Sequence, residues 1–143
     1  MSLFDEKVQK QLKDVFKQMK SNVTLLNFTQ EFECPTCKSA REFVDETVAL
    51  SDELKHVVYD FQKDENKAKE YNVDKIPAIV LLDKDDNDTG IKYYGLPGGY
   101  EFTSFVGSLL EASGQKEELP ENLVNRIKNI DKDIHIQVFV LLT

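Results

Sequence analysis

Apolar residues recur at helical spacing at the start of the chain. Phe4, Val8, Leu12, Val15, Phe16 and Met19 line one face of a segment from about Leu3 to Lys20, which predicts an amphipathic helix with Ser2 as its N-cap and Asp5 three residues on. The pattern then changes. Val23 to Thr29, rich in apolar and β-branched residues, predicts a strand. A second helix should start at Pro35, because proline suits a first helical turn, and Ala40, Phe43, Val44, Thr47 and Val48 form its inward face. Leu54 to Phe61 reads as a second strand, and Asp64 can cap a short helix through Tyr71 that ends at Asn72. Pro77 to Leu82 is a buried third strand, Asp83 to Gly90 a turn, and Ile91 to Tyr94 a fourth strand in a hairpin with the third. Gly95-Leu96-Pro97-Gly98-Gly99 breaks the pattern. A helix then runs from about Tyr100 to Ala112, with Phe102, Phe105, Val106, Leu109 and Leu110 inward and Gly114 past its end.

The order α-β-α-β-α-β-β-α predicts an α/β domain over residues 1–114: a mixed four-stranded sheet flanked by helices on both faces. Helical links between the first three strands predict parallel pairing with right-handed crossovers, the fourth strand joining antiparallel. Residues 115–143 form an extension. Ser113 to Pro120 is polar and linker-like, and Pro120 to Ile130 predicts a helix with Leu123, Val124, Ile127 and Ile130 on one side. Ile134 to Leu142 has the branched apolar content of a strand destined for a sheet interior, and nothing follows to surround it. Its unmet backbone groups predict pairing with a sheet edge, within the chain or as a homodimer through this strand.

Composition narrows the function classes. A length of 143 residues suits one domain with its own core, and 41% apolar with 31% charged residues is the balance of a soluble globular protein. No apolar run approaches the roughly 20 residues that span a bilayer, so no membrane association is expected. The charged N-terminus lacks the features of a secretory signal, which makes a cytoplasmic location the expectation. A net charge of −8 does not supply the basic surface that nucleic acid requires.

The two cysteines stand together in Cys34-Pro35-Thr36-Cys37. A bond between them closes too small a loop to stabilise the fold much through chain entropy, so their placement points to chemistry. Cys34 lies between a strand and a helix start, where unpaired N–H groups and the helix dipole favour a thiolate, the reactive form. Cys37, one turn on, can reach back to it. Pro35 shapes the first turn and Thr36 is small enough to leave Cys34 open. Cys34 would attack a partner's disulfide and Cys37 would resolve the mixed disulfide. Half a zinc site and a pair of structural thiols are the competing readings. Zinc would need two further ligands, and the histidines available, His56 and His135, lie 79 residues apart. No metal or cofactor is expected. Ile76-Pro77 opens the third strand; by itself it reads as a trans proline at a strand start.

Strand, Cys-Pro-Thr-Cys, helix, strand, helix, Ile-Pro, hairpin and helix over about residues 22–113 resembles the thioredoxin/glutaredoxin superfamily. The resemblance implies that Cys34 is the nucleophile, Cys37 the resolving thiol and Pro77 a cis-proline facing them, with Pro35, Thr36 and Ile76 beside them at the substrate. The N-terminal helix, the run Ile91 to Phe102 and Arg126 to Asp131 resemble more narrowly the glutaredoxin-like protein disulfide oxidoreductases. Those proteins hold two tandem thioredoxin-fold units, the second opening with a strand like Ile134 to Val140 before its own CxxC. The resemblance therefore implies an N-terminal unit alone. Its function would be thiol–disulfide exchange with disulfide-containing proteins; the alternative is a redox-inactive interaction module of a tandem protein or of a flavoprotein reductase system. Related tandem units open the alkyl hydroperoxide reductase flavoproteins, so a thioredoxin-reductase-like flavoprotein is an implied partner. The chain departs from the thioredoxin pattern in having no Trp, and in having Phe28 six positions before Cys34 where those proteins place a buried acid. Lys75-Ile76 replaces the Thr-Val of glutaredoxins, which argues against glutathione. Glu31 and Glu33 oppose the helix dipole at Cys34.

Overall fold

The structure, a computed structural model, describes residues 2–141. Helix α1 (Glu6–Phe16) starts later than its apolar stripe suggests, because its N-cap is Asp5, whose Oδ1 accepts from the Val8 N–H at 2.8 Å. Ser2, the expected cap, instead donates its hydroxyl to Glu46 Oε2 at 2.8 Å. Glu46 also accepts from the Leu3 and Phe4 N–H groups, which ties the N-terminus to the second helix. Those bonds, Leu3 foremost, hold its carboxyl below the ordinary carboxylate range.

Next come β1 (Val23–Thr29), α2 (Cys37–Val48), β2 (Leu54–Asp60), α3 (Glu65–Glu70), β3 (Ala78–Leu82), β4 (Asp88–Tyr94), a 3₁₀ turn at Gly99–Glu101, α4 (Phe102–Ala112) and α5 (Glu121–Lys128). The sheet order is β2-β1-β3-β4. β1 and β2 are parallel, with Thr29 opposite Asp60; β3 runs antiparallel to β1, with Phe28 opposite Ala78; β4 runs antiparallel to β3. The expected parallel direction of β3 is thus reversed, and connection length explains it. Helix α2, at 12 residues, climbs about 18 Å and can return the chain along a strand of about 23 Å. Helix α3, at 6 residues, climbs only about 9 Å, so the chain re-enters the sheet at the end where β2 left it.

Side-chain alternation divides the core into two layers. Val23 and Leu25 of β1, with Ile79 and Leu81 of β3, pack under α1, α2 and α4 against Leu12, Phe16, Phe43, Val44, Phe105 and Leu109. Leu26 and Phe28 face the other side, where Ala68, Val73, Val80 and Leu82 complete a smaller cluster beneath α3. Rings stack through the larger layer: Phe105 lies 5.3 Å from both Phe43 and Tyr93, and Phe4 lies 5.7 Å from Phe43.

His56, on the edge strand β2, donates its Nδ1–H to Asp45 Oδ1 of α2, 2.8 Å away, while its buried Nε2 has no partner among the described residues. Burial lowers the His56 pKa below its ordinary 6.5, outweighing the Asp45 carboxylate that would raise it; Arg41 adds a smaller lowering. The unfolded chain therefore binds the proton more readily. His56 contributes stability that is full above about pH 6.5 and is lost as pH falls through its lower folded value. Urea midpoints should fall between pH 7 and pH 5 in the parent, and this part of the decline should flatten in His56→Gln; equal slopes would contradict the assignment.

The extension behaves differently. α5 forms within the expected helix, but Leu123, Ile127 and Ile130 stay exposed. Residues 134–141 join no ladder of the sheet and are exposed, Phe139 at 90%. The strand expected there is absent over these residues, since strand geometry needs backbone partners and no described sheet edge meets it; Leu142 lies outside the described residues. No described helix is long and apolar enough to cross a membrane.

Candidate active site

The strand topology brings four loops to one end of the sheet. β1, β2 and β4 finish there and β3 starts there, so the 30–36, 61–64, 74–77 and 95–100 loops share a rim. Gly95, at φ +86°, closes one side of it: its N–H donates to Pro77 O at 2.9 Å from a backbone conformation suited to glycine.

Cys34 and Cys37 are joined in a disulfide, their Cα atoms 5.4 Å apart. The helix begins at Cys37, with Thr36 at the N-cap, not at Pro35 as the proline suggested; Pro35 occupies the turn closed by the Cys37 N–H to Cys34 O at 3.3 Å. Thr36 makes no side-chain cap bond, so the first-turn N–H groups of α2 receive nothing from it. Those groups and the helix dipole are placed to stabilise negative charge on the Cys34 side of the turn. The two sulfurs are not equivalent. Cys34 is partly exposed, between exposed Glu33 and exposed Pro35, whereas Cys37 is 1% exposed under α2. An incoming sulfur reaches the first and not the second.

The other sequence candidates lie at the same end of the sheet. Thr36 is exposed, Ile76 half-buried and Pro77 buried, with a cis Ile76–Pro77 peptide at the start of β3. His56 pairs with Asp45, away from this rim, and among the described residues no group of three or more His, Cys, Asp or Glu is arranged to hold a metal.

Two features were not singled out from sequence. Gln30, nearly buried, donates its Nε2 to Phe32 O at 2.7 Å and braces the loop before Cys34. Asn27 is wholly buried; its Nδ2 donates to Ala78 O at 3.3 Å and its Oδ1 has no partner among the described residues. Counting back from Cys34 reaches Phe28, but Phe28 faces the α3 layer, 5.3 Å from the Tyr59 ring. By alternation Asn27 is the polar residue on the α2 side. A lone amide within an otherwise apolar strand is the signal that could have marked it.

The thioredoxin family model matches residues 3–106, spanning the sheet, the disulfide and the cis-proline. The chain belongs to the thioredoxin family. This thioredoxin-family chain is 25% identical to NADH dehydrogenase of Bacillus subtilis (strain 168) over 142 residues, 99% of the chain but 25% of that relative. It spans about a quarter of the length of that protein. Its structure superposes on the alkylhydroperoxide reductase AhpF of Enterococcus faecalis (V583), with a TM-score of 0.83 and 28% identity, covering 90% of this chain and 62% of the other. A protein disulfide oxidoreductase from Aeropyrum pernix K1 shares the fold, with a TM-score of 0.77 and 20% identity over 90% of this chain and 56% of the other.

Proposed function

We propose that this chain is a thiol–disulfide oxidoreductase acting on disulfide-containing proteins, with Cys34 as nucleophile and Cys37 as resolving thiol. The unequal exposure of a bonded Cys34–Cys37 pair at the mouth of α2 carries this reading. In the reducing direction, the Cys34 thiolate attacks one sulfur of the partner, whose other sulfur leaves and takes a proton. Cys37 then loses its proton and attacks Cys34 Sγ, releasing the partner's second thiol. One partner disulfide gains two electrons and two protons, and the chain ends in the oxidised form. Pro35, Thr36, Ile76 and Pro77 supply the surface against which the partner lies.

A flavoprotein reductase is the proposed electron donor, and the cytoplasm the proposed location. The likeness to the alkylhydroperoxide reductase AhpF supports the donor. Insulin reduction driven by dithiothreitol tests the activity: turbidity should develop sooner with the chain present, and after reduction Cys34 should alkylate well before Cys37. A rate equal to dithiothreitol alone would favour the second reading, a redox-inactive interaction module. The place of this unit as a quarter of a larger relative favours that second reading.

For residues 115–143 we propose a linker helix and a segment that would become the first strand of a second thioredoxin-like unit only where such a unit offers it a backbone partner. The exposed apolar run from Ile134 to Leu141 is the proposed homodimer contact. Sedimentation should show a concentration-dependent dimer that disappears when the chain is cut after Asp133. A parent that stays monomeric up to about 1 mM would sink the idea.

A further inference from the structure

We propose that the rim around Cys34 selects disulfides flanked by basic residues, with Glu31 and Glu33 making the choice and Phe32 forming the apolar contact between them. This rests on the reading of Cys34–Cys37 as the redox centre. A mixed disulfide can form only if the partner's two sulfurs align with Cys34 Sγ. The residues beside the partner's cysteine are then brought to whatever borders Cys34. On the chain's N-terminal side that border is Glu31-Phe32-Glu33, all three exposed, with Phe32 at 51%.

The charges on this rim do not cancel. Lys38, in the first turn of α2, lies 3.8 Å from Glu42, and Lys75 lies 3.0 Å from Asp74 while its ammonium sits 5.5 Å over the Tyr94 ring. Both of these cations are engaged, and Lys63, on the loop after β2, pairs with neither Glu31 nor Glu33 among the described residues. Glu31 and Glu33 form no ion pair among the described residues, so two unneutralised carboxylates border the sulfur. An exposed phenyl ring between them offers a face for the stem of a lysine or arginine whose charge lies on a carboxylate. Glu33 holds φ +53°, a left-handed backbone that glycine or asparagine would adopt more readily. The carboxylate stands there in spite of that preference.

The same surface acts against acidic partners. Two like charges beside the approach path repel an acid-flanked disulfide, so the discrimination has an attractive and a repulsive part. Both parts are exposed to solvent and weaken as salt rises. They act on encounter more than on the sulfur chemistry itself.

The test uses the full chain, reduced with dithiothreitol and desalted, in single turnover with two synthetic peptides. Each peptide carries one intramolecular disulfide, and they differ only in having Lys or Glu beside the cysteines. Rates are divided by those of dithiothreitol with the same peptides, which removes the intrinsic effect of charge on sulfur reactivity. The Lys peptide should react about tenfold faster at about 20 mM salt, and the gap should nearly close at about 1 M. The double substitution Glu31→Lys, Glu33→Lys should invert the preference, which a merely structural role could not do. Equal normalised rates at low salt, or a gap indifferent to salt, overturn the selectivity and leave the redox reading intact. Reduction of neither peptide overturns both. Should the double variant fail to fold, the salt dependence of the parent decides.

Discussion

Replacing Cys34 by serine is expected to cut disulfide turnover by at least about two orders of magnitude, to the rate of dithiothreitol alone, because a hydroxyl supplies no nucleophile comparable to a thiolate at neutral pH. Cys37→Ser should fail differently. The first attack at the partly exposed Cys34 survives, but nothing resolves the product, so the partner stays attached as a mixed disulfide. Non-reducing electrophoresis should show an adduct with Cys37→Ser and none with Cys34→Ser. The contrast follows from burial: Cys37 is 1% exposed, while Cys34 is partly exposed. An adduct through Cys37 in the Cys34→Ser protein would reverse the assigned roles.

Phe105→Ala is expected to be the most damaging single core change, costing about 3–5 kcal/mol. Phe105 is fully buried on α4, and its ring meets Phe43 of α2 and Tyr93 of β4, each at 5.3 Å. Truncation removes the transfer free energy of a phenyl ring and leaves a cavity where two helices and the sheet meet, with little room to collapse. A domain of this size holds only about 5–15 kcal/mol in total, so the loss is a large share. Urea unfolding measures it. Tyr100→Ala gives the comparison: that ring is 79% exposed, and its loss should shift stability by no more than about 0.5 kcal/mol. Similar midpoints for the two variants would show that the larger core layer is misassigned.

The disulfide motif was legible because its chemistry is local: four consecutive residues, a preceding apolar strand and a following amphipathic helix suffice to place two sulfurs at a helix mouth. The inward faces of α2 and α4 were legible for the same reason. Phe43, Val44, Phe105 and Leu109 recur at helical spacing and are buried. Boundaries were less so. Pro35 permits a helix start without compelling one, and Asp5 won the N-cap from Ser2 because Glu46 engages the Ser2 hydroxyl.

By itself, then, the sequence determined the inward faces of α2 and α4, where the chain changes period and which two sulfurs can bond, since each depends on neighbours a few positions away. Only the tertiary structure decided the direction of β3, the bond from the Gly95 N–H to Pro77 O, and the burial of Asn27 on the α2 side. These depend on whether a connection is long enough to travel back along a strand, which composition does not encode. The run from Ile134 makes the same point from the other side. Strand-forming residues become a strand only when a second backbone offers its hydrogen bonds, and over residues 134–141 none does.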